Sequence, residues 1–121
     1  MFSSSFKNIG VGIDIVEISR FNRIPYESNK RFYKKIFTQS EIQYCTKFSD
    51  PYKHFAGKFA IKEAVLKSIT NNVKMINIVT VHEKSKPGVS IKDLKHYQFV
   101  VSLSHEKTIA IAIVLSEKFP K

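Results

Sequence analysis

The run Phe55-Ala56-Gly57-Lys58-Phe59-Ala60-Ile61-Lys62-Glu63-Ala64-Val65-Leu66-Lys67-Ser68-Ile69 constrains the fold more than any other part of the chain. At about 100° per residue, its apolar positions 55, 56, 59, 60, 61, 64, 65, 66 and 69 spread almost around a helical cylinder, the pattern of a buried helix. Glu63 lies inside that pattern with Phe59 one turn before it, Leu66 three residues after it and Lys67 at i+4. An unpaired buried carboxylate is neutralised or costs several kcal/mol, so a cation or a metal belongs beside Glu63.

At 121 residues the chain makes one domain, 1–121, small enough that part of a site could come from a neighbouring subunit. The longest apolar run, 109–115, is too short to cross a bilayer. The opening Met-Phe-Ser-Ser-Ser-Phe-Lys lacks the layout of a secretory leader, so a cytoplasmic protein is expected. Cys45 is the only cysteine, which excludes an internal disulfide and a cysteine-cluster metal site. A formal charge of +10 implies attraction to an anion: nucleic acid, a phosphorylated cofactor or an acidic protein. Charge alone does not choose among these, and a lysine-rich solvated surface explains it equally well.

Ile9-Gly10-Val11-Gly12-Ile13-Asp14 reads as a strand closed by Asp14, its glycines marking close approach of another backbone. Residues 15–24 read as a short amphipathic helix stopped by Pro25, with Arg20 and Arg23 on one face. A second helix covers about 30–37. Thr38 and Glu41 have the spacing of a capping box and start a third, to about Lys47. Asp50-Pro51 launches the longest helix, which runs to Thr70-Asn71-Asn72, where asparagine suits a left-handed cap. Beyond it, 75–83 alternates as a strand and Lys86-Pro87-Gly88 reads as a turn. Residues 97–104 and 108–116 form a β-hairpin around His105-Glu106-Lys107. The order describes an α+β domain, an antiparallel sheet packed against a long central helix.

Asp14 and Glu63 are acids on separate elements, and magnesium is commonly held by one or two carboxylates plus waters and phosphate oxygens. The competing reading is a capping aspartate and a Glu63–Lys67 ion pair, which spacing alone favours. Lys58 and Lys62 stack at i and i+4 on a face different from that of Glu63 and Lys67. Such ammonium groups suit phosphate, or else snorkel from the rim of a buried helix. His54, His82, His96 and His105 lack metal spacing; His105, between two strands, is placed to reach a ligand at the sheet edge. Walker, dinucleotide and RNP-type motifs are absent.

Together, Ile9-Gly10-Val11-Gly12-Ile13-Asp14-Ile15-Val16-Glu17-Ile18 and Phe55-Ala56-Gly57-Lys58-Phe59-Ala60-Ile61-Lys62-Glu63-Ala64 resemble the holo-acyl-carrier-protein synthase family, the short type of 4'-phosphopantetheinyl transferase. The likeness extends through Phe37-Thr38 with Glu41, Lys86-Pro87 and Val101-Ser102-Leu103-Ser104-His105. It implies the phosphopantetheinyl transferase fold and transfer of the 4'-phosphopantetheine arm of coenzyme A to a serine of apo acyl carrier protein, in support of fatty acid biosynthesis. It further implies Asp14 and Glu63 as magnesium ligands, and Lys58, Lys62 and above all Lys67 as groups holding coenzyme A phosphates or stabilising charge at the transferred phosphorus. His105 is implied near the cofactor and Arg20 at the carrier-protein contact, in a homotrimer whose sites lie between subunits. Neither nucleic acid nor a membrane is an expected partner. A metal-organised water, Glu63, Glu17 or Glu106 remains open as the base for the serine proton. Thr70-Asn71-Asn72, Ser85 and Ile109 depart from the family pattern, the first of them where a glycine-containing loop is usual. The rival reading is a non-catalytic basic module for RNA or an acidic protein.

Overall fold

The computed structural model describes residues 8–83 and 86–120. In chain order the elements are β1 (Ile9–Glu17), α1 (Ser19–Asn22), α2 (Lys30–Ile36), α3 (Gln39–Thr46), α4 (Pro51–Ser68), β2 (Ile78–Glu83), β3 (Lys86–Ile91), β4 (Tyr97–His105) and β5 (Ile109–Lys118), with single 3-10 turns at Tyr26–Ser28 and Met75–Asn77. Strands β1, β5 and β4 form one antiparallel sheet in that order, and β2 pairs with β3 in a two-stranded ribbon. This is the α+β arrangement expected, with α4 laid across the inner face of the larger sheet. The opening Met-Phe-Ser-Ser-Ser-Phe-Lys lies outside the described residues.

The long helix is as enclosed as its sequence requires: Phe55, Ala56, Ala60, Ile61, Ala64 and Val65 are all fully buried. One flank meets an aromatic cluster of Phe21, Tyr33, Phe37 and Phe55, with Tyr33 and Phe55 rings 4.7 Å apart. The Tyr33 hydroxyl, which has no water to turn to, donates to the Ile24 carbonyl at 2.7 Å and ties α2 to the end of the α1 segment. The other flank meets the sheet through backbone. A Cβ added to Gly12 would overlap the Ala64 carbonyl and lie 3.1 Å from Lys67 Cβ, and one added to Gly10 would overlap the Ser68 carbonyl. Those two glycines let β1 rest directly on the last two turns of α4.

That contact inverts the ordinary use of a sheet. The even positions of β1 face the helix, whereas Ile9, Val11, Ile13 and Ile15 are 43–59% exposed on the outer face. They continue by register into Ile113, Leu115 and Val100, pairing Val11 with Leu115, Ile13 with Ile113 and Leu115 with Val100. A contiguous apolar sheet face of this kind marks an association surface.

The structure corrects several boundaries. β1 does not end at Asp14; it runs on to Glu17, with Asp14 opposite Ala112 in mid-strand. Pairing of Ile15, Val16 and Glu17 with β5 overrides their helical spacing, so α1 shrinks to Ser19–Asn22. The capping box at Thr38 and Glu41 forms in full. Asp50 precedes Pro51 as expected, but its side chain caps nothing. At the other end of α4 no left-handed asparagine occurs: Asp93 is the one non-glycine residue of positive φ among those described. Ser116 Oγ instead donates to the Ser68 carbonyl at 2.8 Å, supplying the donor that such a cap would have provided. Lys86-Pro87-Gly88 is strand rather than turn, Pro87 standing opposite His82 in a two-stranded ribbon that leaves its missing N–H on an edge. Residues 84 and 85, between the two strands, lie outside those described.

Candidate active site between the first strand and the long helix

β1 and α4 run antiparallel where they touch. Gly10 meets Ser68 and Gly12 meets Ala64, two strand residues for each helical turn. Extending that register by one step sets Asp14, also on the inner face, at the turn of α4 that carries Glu63. Lys67 reaches across the seam: its Nζ donates to Asp14 Oδ1 at 3.0 Å and to the Ile13 carbonyl at 3.1 Å. The Asp14 side chain is 15% exposed and that of Lys67 is 52% exposed, so the pair stands at the mouth of the seam with its cation half in solvent.

Glu63 is half-buried, one turn before Lys67 on the same stripe. The Glu63–Lys67 pair that spacing favours does not form, since Lys67 turns to Asp14. Among the described residues, no cation or hydrogen-bond donor meets the Glu63 carboxylate. Two carboxylates, one without a partner and one paired with a half-exposed ammonium, are hard oxygen donors of the kind that suits magnesium. No group of three or more His, Cys, Asp or Glu side chains capable of holding a metal occurs among the described residues.

The lysines on the opposite face are placed otherwise than expected. Lys62 is fully buried; its Nζ donates to Glu41 Oε1 at 2.8 Å, to the Ile36 carbonyl at 2.7 Å and to the Met75 carbonyl at 3.1 Å. With three acceptors and no exposure, that ammonium serves the interior and not a phosphate. Burial opposes the Glu41 charge, but the Lys62 ammonium and the Thr80 and Thr38 donors outweigh it and hold the carboxyl below its ordinary pKa. Lys58 is also buried, donating to Thr80 Oγ1 at 2.8 Å with His82 Nδ1 at 3.5 Å and the Tyr44 ring centroid at 4.7 Å. Its pKa is lowered by burial. Two buried ammonium groups share one buried carboxylate, leaving a surplus cation on Lys58.

Beside that surplus lies a group of imidazoles. His82 stacks on Tyr44 at 4.7 Å, His54 stacks on Phe48 at 3.8 Å, and the His54 and His105 rings are 6.2 Å apart. Burial lowers the pKa of all three, that of His82 to about 4 with Lys58 adding to the effect. His105 ends β4 and its Nε2 contacts the Lys53 carbonyl at 3.1 Å, so that nitrogen carries the proton. Gly57 makes room for the ring: a Cβ there would come 2.8 Å from His105 Nε2. A cleft of about 530 Å³ opens beside it, lined in part by Asn22, Lys53, His105 and Lys107. Sheet register separates His105 from Asp14 by two strands and one row, roughly 12 Å at ordinary strand spacings. One subunit thus pairs Asp14 with Lys67, sets Glu63 one turn earlier on the same stripe of α4, and holds His105 apart from Asp14. Arg20 is exposed on α1, its guanidinium 5.2 Å above the Phe59 ring. Glu17 projects from the outer face of β1, opposite to Asp14, and Glu106 is exposed after β4.

Sequence reasoning assigned Glu41 only to a helix cap and left His54 and His82 without a role. Lys62 carried the signal that was missed: a charge amid the same apolar run as Glu63, one residue earlier, needs a buried partner more urgently because its neighbours at i−4 and i+4 supply none.

This antiparallel α+β domain with its central helix is matched over residues 10–114 by the model of the 4'-phosphopantetheinyl transferase superfamily, which gives its class. The chain belongs to that superfamily. Within it, the chain is similar to the holo-acyl-carrier-protein synthase of Thermodesulfovibrio yellowstonii, 37% identical over 109 residues and covering 88% of this chain and 96% of that one. The synthase of Chloroherpeton thalassium is 38% identical over 116 residues, covering 88% and 96%. Among solved structures, the holo-acyl-carrier-protein synthase of Bacillus anthracis in complex with CoA (3',5'-ADP) superposes with a TM-score of 0.77 at 26% identity, covering 90% of this chain and 96% of that one. The Helicobacter pylori synthase in complex with coenzyme A gives a TM-score of 0.74 at 29% identity, covering 86% and 96%.

Proposed function

We propose that this chain is a holo-acyl-carrier-protein synthase that moves the 4'-phosphopantetheine arm of coenzyme A onto a serine of apo acyl carrier protein, releasing adenosine 3',5'-bisphosphate and supporting fatty acid biosynthesis. The observation that carries the reading is the Asp14–Lys67 pair beside a partnerless Glu63, in a chain similar over nearly its whole length to enzymes of that name. Two solved relatives carry coenzyme A or its 3',5'-ADP portion.

Asp14 and Glu63 would hold the magnesium ion, which when bound supplies a Lewis acid for the diphosphate oxygens. Lys67 has a half-exposed side chain and one carboxylate to release. It exchanges Asp14 for a diphosphate oxygen and opposes the negative charge that grows on the leaving bisphosphate. Asp14 and Glu63 would orient the diphosphate only by way of the ion they would hold, while Lys67 directs it from the same seam, so that the serine oxygen attacks in line as the bond to the leaving bisphosphate breaks and a base takes the serine proton. Glu17 faces away from this seam and is set aside as the base. Lys58, like Lys62, is buried and held by interior partners, so the phosphate role expected of it is set aside; His105, beside the cleft lined by Lys53 and Lys107, is the residue of that group offered to coenzyme A. Lys62 supports the site from inside. Arg20 offers an exposed cation to the acidic carrier protein. The apolar outer sheet face supports a homotrimer, in which a neighbouring subunit's His105 could complete the site that one subunit leaves divided. The enzyme would work in the cytoplasm or an organelle descended from bacteria. No helix among the described residues is long and apolar enough to cross a membrane.

Incubation with coenzyme A, magnesium and apo carrier protein should add one phosphopantetheine mass to the carrier; no addition with any divalent metal would overturn the reading. Arg20→Glu should raise the KM for carrier protein and leave that for coenzyme A unchanged, and equal carrier affinity would remove the docking role.

A further inference from the structure

The buried charges on the back of α4 are wired more completely than stability requires. Glu41 Oε1 accepts from Lys62 Nζ and from the Thr38 N–H, each at 2.8 Å, while Oε2 accepts from the Thr80 N–H and Thr80 Oγ1, each at 2.7 Å. Lys62 also grips the Ile36 and Met75 carbonyls, and both Glu41 and Lys62 side chains are 0% exposed. One residue of α4 is thereby tied to the end of α2, the start of α3, the turn before β2 and, through Glu41, β2 itself. Buried pairs of this sort are often no more stabilising than apolar side chains of equal volume, so what they contribute is a fixed geometry.

The next residue on α4 is Glu63, and Lys67 lies five beyond Lys62. A side-chain tip roughly 6 Å from the helix axis moves about 2 Å when the helix turns by about 20°, given a Cα radius of about 2.3 Å. A shift of about 1 Å already costs on the order of 100-fold in rate at a site that depends on alignment. Backbone packing of β1 at Gly10 and Gly12 and interlocked apolar side chains hold α4 by shape, whereas hydrogen bonds hold it by direction. The three hydrogen bonds on the Lys62 ammonium add a directional restraint against that rotation.

We infer that Glu41, with Lys62 and Thr80, is a positioning clamp that sets the rotation and height of α4 so that Glu63 and Lys67 stand opposite Asp14. This rests on the phosphopantetheinyl transfer proposed above. The clamp residues touch no substrate; they act through the helix they hold.

The test compares Glu41→Leu/Lys62→Met, which removes both charges at similar volume, and the milder Thr80→Val with wild type. The readouts are the melting temperature, kcat and KM for coenzyme A, Mn²⁺ affinity in the presence of coenzyme A by electron paramagnetic resonance, and amide exchange along α4. The double variant should melt below wild type, because the Thr38 and Thr80 N–H groups lose their acceptor and Lys58 its nearby counter-charge, and should lose at least 10-fold in kcat and in Mn²⁺ affinity and exchange faster over 62–68. Thr80→Val should lose about 3-fold or more in both, which keeps the question answerable if the double variant fails to fold. Folded variants with wild-type kcat, Mn²⁺ affinity and exchange overturn the clamp while leaving the transferase reading intact. A wild-type protein that transfers nothing overturns that reading instead, and exchange over 62–68 still reports whether the clamp holds the helix.

Discussion

Gly12→Ala puts the seam itself under test. The added Cβ would sit 2.8 Å from the Ala64 carbonyl carbon and overlap the carbonyl oxygen, where an ordinary contact begins near 3.4 Å. Neither obstacle is a flexible tip, since both belong to the backbone of a fully buried turn of α4. Strand and helix must therefore part by roughly 1 Å, an overpacking strain of about 1–3 kcal/mol. Alanine recovers about 0.5–1 kcal/mol relative to glycine in a strand, which does not offset it. The same displacement separates Asp14 from Lys67 and Glu63, for which a loss on the order of 100-fold in kcat is expected. Urea denaturation at fixed protomer concentration and carrier-protein mass analysis measure the two effects. Gly88→Ala serves as control, because its Cβ would meet only a Val81 methyl at 3.3 Å. A Gly12→Ala enzyme as stable and as fast as the Gly88→Ala control would refute the close-packed seam as the origin of the site.

Gly57→Ala should leave stability nearly unchanged, since the helix gains about 1 kcal/mol in propensity while the new Cβ displaces the His105 ring, and should raise the KM for coenzyme A several-fold; an unaltered KM would deny His105 a place at the cofactor. The buried imidazoles predict acid sensitivity. With the His82 pKa at about 4 in the fold and 6.5 outside it, the unfolded chain binds the extra proton between those values, so stability falls as pH drops through that window. The full shift corresponds to about 3 kcal/mol, reduced to about 1–2 for a half-buried ring screened by water. The fall in melting temperature from pH 7.5 to 5.0 should be smaller in His82→Gln, with His54 and His105 accounting for what remains, and an equal acid loss in that variant would contradict the assignment. Ile113→Lys, at the middle of the apolar outer face, should shift the protein to monomer in sedimentation and depress activity; a monomeric wild type or an unchanged oligomer would remove the face from assembly.

The elements with strong local chemistry were legible in the sequence. The capping box at Thr38 and Glu41, the Asp50-Pro51 start of α4, the hairpin of β4 and β5, and the enclosed character of the 55–69 helix all stand in the structure. What failed was decided by long-range pairing. Residues 15–17 have helical spacing but are claimed by β5, and asparagine after α4 needs no left-handed cap once Ser116 supplies the donor. Opposite faces for Lys62 and Lys67 followed from the helical period. Which lysine was buried did not, because the partner Glu41 is 21 residues away in the chain and its role as a cap concealed its second one. Glu63 drew attention as a carboxylate in need of a cation; the fold gave that cation to Asp14 and left Glu63 open.

The most direct measurement is single-turnover transfer by Glu63→Gln at saturating coenzyme A, magnesium and apo carrier protein, with the fold checked by circular dichroism. The substitution keeps size and shape, removes the charge and exchanges one acceptor oxygen for an NH2 donor. Loss of at least 1000-fold in rate, about 4 kcal/mol of transition-state stabilisation, is the result the seam predicts. A folded Glu63→Gln protein that loads the carrier at the wild-type rate would contradict it.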